Sequence, residues 1–345
     1  MPLPRAGMLS TTDRRRHAVA AVALVVAAAA LTGCGDAGPP EAVGGEPVVA
    51  SSTSTTPTPT PAPPTTAGPP PAQTAAPTGP GVVVTPSGVV VPVLSERDGG
   101  WVVRTPCGAE RTLTRGTRVG AATVVLDPGH GGAEAGARSP DGLAEAPVNL
   151  DVARATQREL EREGVDVVLT RTADYEVSLP TRATIAKSLS PRALVSIHHN
   201  AVPDGPHPGP GTETYYQLNS ADSKRLAGLV QEEVFRALSA YDVAWVADTD
   251  AGAKYRPGSR GDYYAMLRLP APVTSVLAEL AFISNPPEAA LLARPDVRAR
   301  EGAAVARGIL RYLRSNDPGS MFTVPYPRTD PPGDGAARPC ADPQL

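Results

Sequence analysis

The chain has 345 residues, of which 40 are Pro and 33 Gly, and its 32 Lys and Arg against 35 Asp and Glu give a formal net charge of −3 at pH 7. A mildly acidic balance offers no basic footprint, so nucleic acid is excluded as an expected partner. Only five histidines and three cysteines are present, so any ordered placement of those residues is informative.

Residues 1–34 read as a lipoprotein signal peptide. Arg5 and Arg14-Arg15-Arg16 form a positive start, and Ala18 to Leu31 is apolar but too short and Ala-rich for a stable membrane span. The stretch ends in Leu31-Thr32-Gly33-Cys34. Small residues before a cysteine resemble the bacterial lipobox, in which that cysteine is lipidated and becomes the new N-terminus. An ordinary secretory signal cleaved nearby is the alternative, and both readings export the chain. Residues 35–80 are mostly Pro, Thr, Ser, Ala and Gly, with no charge between Pro47 and Ser95. Such a segment cannot bury a core and reads as a disordered tether, spanning roughly 40 Å as a coil and at most about 140 Å as polyproline II.

Residues 81–121 read as a small β-rich lead-in: Val82-Val83-Val84, Val89-Val90-Val91 and Trp101-Val102-Val103 are separated by Gly-containing turns. Residues 122–315 then alternate strands with helices. Strands are expected at Ala122–Leu126, Val165–Thr170, Ala193–Ile197, Gly211–Tyr216 and Val273–Leu277. Helices are expected at Val148–Arg162, Thr181–Leu189, from Ala221 to about Ala240 behind a Ser220 cap, and at Val297–Leu313. The segment from Asp248 to Asp262, rich in Gly, Asp and Arg, reads either as a mobile loop beside a substrate or as a plain solvated loop. Residues 316–345 form a Pro/Gly-rich C-terminal tail. The alternation predicts an α/β fold, a single layered domain with a mixed, largely parallel central sheet flanked by helices. Export makes a disulfide between Cys107 and Cys340 an expectation, with two free thiols as the alternative.

Chemistry concentrates at three places. His130 follows an apolar strand within Asp127-Pro128-Gly129-His130-Gly131-Gly132. His198 and His199 end another strand, where side chains alternate, so Ser196 and His198 share one face while Ile197 and His199 take the other. Only one of the pair is therefore expected to meet His130. Two histidines and a glutamate form a known ligand set for a catalytic zinc, which keeps a further position for water. Glu145 and Glu134 both lie near enough in sequence to serve. Glu279 follows the apolar strand ending at Leu277, and a carboxylate there needs a partner or a task such as general-base catalysis.

Four ordered motifs resemble the zinc-dependent N-acetylmuramoyl-L-alanine amidases of the amidase-3 type. They are Asp127–Gly132, Glu145-Ala146-Pro147-Val148-Asn149-Leu150, Ser196-Ile197-His198-His199-Asn200-Ala201 and Glu279-Leu280-Ala281-Phe282-Ile283-Ser284-Asn285. Thr170-Arg171, Asp174, Arg182 and Gly211–Tyr216 are smaller matches between them. The resemblance implies one Zn2+ per chain, held by His130, Glu145 and His198, with Glu279 as the catalytic glutamate. It implies a peptidoglycan hydrolase that cleaves the amide between N-acetylmuramic acid and L-alanine by zinc-activated water, with the glutamate as general base. Ala281 stands where the family often has Gly, and Ala146-Pro147 replace a usual lysine; Pro suits the first turn of a helix. Some members carry a helical insertion that plugs the site. The interval from His198 to Glu279 is already filled by a strand, a helix and a loop, so none is expected here. A monomer anchored to the outer face of the cytoplasmic membrane through Cys34 is expected, acting in the cell envelope. The alternatives are a stem-peptide peptidase and a catalytically silent wall-binding lipoprotein.

Overall fold

Valine-rich runs and their turns build the first layer of a computed structural model that describes residues 79–327 and 340–345. The expectations on residues 1–34, on Cys34 and on the tether lie outside the described residues. Five short strands come first: β1 (Val82–Val84), β2 (Val90–Arg97), β3 (Gly100–Arg104), β4 (Glu110–Leu113) and β5 (Thr117–Val119). They form an antiparallel sheet in the order β4-β3-β2-β1-β5. The sequence reading found the valine cores of β1 to β3. It missed β4 and β5, whose residues are mostly exposed and carry no apolar alternation.

The chain continues with β6 (Val124–Pro128), α1 (Glu145–Arg162), β7 (Val167–Leu169), α2 (Leu179–Leu189), β8 (Ala193–Asn200), β9 (Gly205–His207) and β10 (Glu213–Tyr216). Then follow α3 (Ala221–Leu238), β11 (Trp245–Ala247), β12 (Gly252–Lys254), β13 (Pro257–Gly258), β14 (Gly261–Asp262), α4 (Ala265–Arg268), β15 (Ser275–Phe282), α5 (Pro286–Leu292) and α6 (Pro295–Arg314). Six strands make the central sheet, in the order β12-β10-β15-β8-β6-β7. Every pair in it is parallel except β10 with β15, so the sheet is mixed and largely parallel. Helix α3 begins at a Ser220 cap whose hydroxyl accepts from the Ser223 N–H.

Alternation along the strands sorts the core into two faces. Val124, Leu126, Val195 and Ile197 pack with apolar residues of α1, α3 and α6. Val125 and Leu194 pack the other way, with Ile185 and Leu189 of α2 and the valines of β1 and β2. The β-rich lead-in thus shares a core with the central sheet. Cys107 and Cys340 are joined by a disulfide, and Asp342 accepts a hydrogen bond from the Cys107 N–H at 2.7 Å. Residues 321–323 run beside β12, where the Ala253 N–H donates to the Met321 carbonyl and the Thr323 N–H to the Ala253 carbonyl.

Three boundaries differ from the sequence reading in ways that matter. Helix α1 starts at Glu145, three residues early, so this carboxylate sits in the first turn and not before it. Strand β15 runs to Phe282 and contains Glu279, which therefore does not follow the strand. The segment 248–262 is not a plain solvated loop throughout. It contains β12, β13 and β14, and Lys254 is 1% exposed. Its ammonium sits between Glu213 of β10 and Asp250, and a buried lysine needs such partners to stay charged. Among the described residues no helix is long and apolar enough to cross a membrane.

Candidate metal centre

The centre forms over the carboxyl ends of β6 and β8, where parallel strands hand over to loops. Its loop is fixed from below. Asp127 at the end of β6 is buried and accepts from Thr170 at 2.6 Å, Arg182 at 2.7 Å and Ser196 at 2.7 Å. Burial opposes its charge, but the Arg182 guanidinium and these hydrogen bonds outweigh it and hold the carboxyl below its ordinary range. Arg182 also donates to the carbonyls of Pro128 at 2.7 Å and His130 at 2.6 Å. Arg171 donates to those of Pro128 at 2.9 Å, Gly129 at 2.8 Å and Ala146 at 2.7 Å. Two guanidiniums thereby set the backbone on which His130 stands. His130 itself has φ 62°, a left-handed conformation that a non-glycine residue keeps only where its surroundings impose it.

His130, Glu145 and His198 come together, each offering one ligand atom, all within 4.8 Å of one another. Glu145 Oε2 is 3.1 Å from His130 Nε2, and its Oε1 is 3.0 Å from His198 Nδ1. The same carboxylate accepts from the N–H of Ala137 at 2.9 Å, the N–H of His199 at 3.1 Å and the side-chain amide of Asn149 at 3.1 Å. Its place in the first turn of α1 adds the favourable end of the helix dipole. Burial opposes its ionisation, yet the hydrogen bonds and charges of both histidines hold its pKa far below the ordinary value. Glu134 is not part of this trio: it bonds His130 Nδ1 from the outside at 2.6 Å, leaving Nε2 to face Glu145. Burial disfavours the charge on His130, but the two glutamates raise its pKa to about 9.

The donor set suits zinc in kind, two imidazole nitrogens and a carboxylate. The backbone is shaped to it as well. A Cβ on Gly136 would lie 2.5 Å from Glu145 Oε2 and 2.6 Å from His130 Cδ2, so the cradle closes around these groups only because that position has no side chain.

Glu279 of β15 is the register partner of His198 on the neighbouring parallel strand, so both side chains leave the same face of the sheet. Its Oε2 is buried without a hydrogen-bond partner. Burial, and after it the negative charge of Glu145, raise its pKa well above the ordinary carboxylate value. Glu213 is Glu279's partner on β10, and it is bonded by Lys254 at 2.5 Å, Tyr215 at 2.8 Å and Asn200 at 2.9 Å. His199 points away from the centre into the α1 and α6 side, where its Nδ1 meets Asn149 at 2.7 Å. A cleft of about 430 Å³ opens beside His130 and His198, walled by Glu134, Glu176, Leu179 and Met266. The sequence reading missed the part played by Asn149 and the clamping by Arg171 and Arg182, although a signal was at hand for all three: Asn149 lies in the second of the four family motifs and the arginines in the smaller matches.

Fold and site together define an α/β enzyme with a His–Glu–His cluster at the carboxyl edge of its sheet. Residues 124–311 match the family described as Amidase_3, N-acetylmuramoyl-L-alanine amidase, and the chain belongs to it. Enzymes of this kind are peptidoglycan hydrolases that act outside the cytoplasm. The chain is 33% identical over 192 residues to the uncharacterized protein YqiI of Bacillus subtilis, covering 55% of this chain and 84% of that one. It is 34% identical over 194 residues to the N-acetylmuramoyl-L-alanine amidase LytC of Bacillus subtilis, covering 56% of this chain and 36% of LytC. Among solved structures it is similar to the N-acetylmuramoyl-L-alanine amidase AmiC2 of Nostoc punctiforme. That match has 32% identity and a TM-score of 0.47 and covers 55% of this chain and 96% of that one.

Proposed function

We propose that the chain hydrolyses the amide between the lactyl group of N-acetylmuramic acid and the L-alanine of the peptide stem, with zinc held by His130, Glu145 and His198 and proton transfer by Glu279. The observation that carries this reading is the Glu145 carboxylate lying 3.1 Å and 3.0 Å from the two imidazoles, with Glu279 one strand away on the same face. When bound, zinc supplies Lewis-acid polarisation of the amide carbonyl and an acidified water. Glu134 keeps His130 Nε2 turned inward, and the Arg171 and Arg182 clamps keep its loop from shifting. Glu279, with an unpartnered buried oxygen and a raised affinity for protons, takes a proton from water and delivers it to the leaving amine. The cleft beside Leu179 and Met266 receives one end of the substrate.

Export by residues 1–34, anchoring through a lipid on Cys34 and action as a monomer at the outer face of the cytoplasmic membrane complete the proposal. Digestion of purified peptidoglycan by the full chain tests it. New L-alanine amino termini and peptide-free glycan are expected by mass spectrometry, abolished by a chelator and restored by zinc. Cleavage within the stem peptide, or digestion indifferent to the chelator, would overturn it.

A further inference from the structure

Behind the sheet, on the side away from the cleft, Glu301 of α6 is 0% exposed and neither of its carboxylate oxygens has a hydrogen-bond partner. Nε2 of His199 is buried and likewise unpartnered, and it lies 3.5 Å from Glu301 Oε2. A carboxyl group taken wholly out of water without a donor is costly and calls for a reason. We infer that Glu301, His199 and Asn149 are positioning residues, a buried relay that fixes the orientation of Glu145. The inference rests on the reading of Glu145 as a metal ligand.

The hydrogen-bond count leads to the relay step by step. Asn149 turns its amide nitrogen toward Glu145 Oε1 at 3.1 Å and toward the Gly129 carbonyl at 3.4 Å, both of them acceptors. Its amide oxygen must then face the other way, and there it meets His199 Nδ1 at 2.7 Å. An acceptor at that distance requires the proton on Nδ1. With Nδ1 so committed, Nε2 is left to the Glu301 carboxyl that faces it from α6. The 3.5 Å separation is long for a hydrogen bond, and the inference is that these two otherwise unpartnered groups serve each other. Without Glu301 the proton is free to move to Nε2. The Nδ1 lone pair would then oppose the Asn149 oxygen and turn it toward Glu145, so the ligand would lose a donor and gain a repulsion.

Sequence explains how α6 reaches so far. A Cβ on Gly302 would lie 2.4 Å from Ala155 Cβ and 2.8 Å from the Val152 carbonyl. Glycine beside Glu301 therefore lets α6 settle against α1 closely enough for the carboxyl to face the end of β8. The relay thus ties the packing of the last helix to the geometry of the centre. Partners behind metal ligands commonly change affinity by about 10–100-fold when removed.

The test compares zinc affinity of the full chain, by competition with a chromophoric chelator, for the unmodified protein, Glu301→Leu and Glu301→Gln. Circular dichroism and melting of the metal-free forms report folding. Glu301→Leu is expected to bind zinc about 10–100-fold more weakly. Glu301→Gln, whose amide can still donate to Nε2, is expected to stay near the unmodified zinc affinity, and a Glu301→Leu protein that loses zinc affinity while its metal-free form melts as the unmodified chain does separates the relay from a packing role. A folded Glu301→Leu protein with unchanged zinc affinity overturns the relay. Nitrogen-15 NMR of the histidines in the unmodified chain decides it independently of any variant: a His199 ring protonated only on Nε2 overturns it, and a proton on Nδ1 supports it. Zinc uptake as tight in His130→Ala as in the unmodified chain sinks the ligand reading instead, and the NMR arm still judges the relay.

Discussion

At Glu279 a carboxylate is held where carboxylates are least comfortable, half-buried at the centre of the sheet, beside the charge of Glu145. That discomfort is what makes it a good proton acceptor. Glu279→Gln keeps the shape and removes the acceptor, so turnover should fall about 10²–10⁴-fold while zinc content stays the same; an equal loss of zinc would show that the residue holds metal instead. Asp127 carries a different kind of burden. Its carboxylate faces the buried Arg182, and removing one member of such a pair strands the other. Asp127→Asn should cost about 3–5 kcal/mol in urea unfolding. The pH dependence has a definite sign. Because the folded pKa lies below the ordinary value of 3.8, the contribution of Asp127 is fully present above that value and is lost as pH falls through the depressed one. Acid unfolding should therefore begin at a higher pH in a variant lacking Asp127's partner, such as Arg182→Gln, and coincident acid midpoints would count against the account.

Strands and helices were legible wherever an apolar run met its expected period. The run Ala193–Ile197 gave away β8, and the stripe Leu226, Val230, Val234 marked α3. What the pattern hid were the polar extensions that make the site. Strand β8 continues through His198 to Asn200 because β15 pairs with it up to Phe282, a reason that lies 82 residues away in the chain. Lys254 lies in a segment that reads as a loop, because its partner Glu213 sits on another strand. Helix α1 took in Glu145 because Pro147 is tolerated in a first turn, which apolar spacing does not register. His130 and His198 stand out through their rarity, whereas the partners of Asn149, which lies inside a family motif, and of Glu301, which lies in none, show only once α1 and α6 are packed together. The contact between those helices can be tested directly. Gly302→Ala places a methyl group 2.4 Å from Ala155 Cβ, and such overpacking should cost about 1–3 kcal/mol in urea unfolding. A stability equal to the unmodified chain would show that α6 has room to spare.

On the scale of the whole molecule, the described C-terminal residues return to the beginning of the fold. Cys340 is bonded to Cys107, Asp342 caps the Cys107 N–H, and the Gln344 carbonyl accepts from the Ser87 hydroxyl at 2.6 Å. The turn that holds Cys107 also meets α2: the Pro106 carbonyl accepts from the Ser178 N–H at 2.9 Å, and the Thr105 carbonyl from the Thr181 hydroxyl at 3.2 Å. Ser178 and Leu179 line the cleft, so the tail braces the wall of that cleft through two layers of contacts without touching the proposed metal ligands. The disulfide spans 233 residues, and closing so long a loop in the unfolded chain removes much of its entropy. Replacing both cysteines by serine should therefore lower stability by about 2–4 kcal/mol, read from urea unfolding with and without reductant. Turnover at 25 °C should be retained, because the hydrogen bonds from the turn to α2 do not depend on sulfur. A variant as stable as the oxidised chain would mean that the noncovalent contacts alone hold the tail. A folded variant that lost turnover would mean that the bond itself, through α2, keeps the cleft in shape.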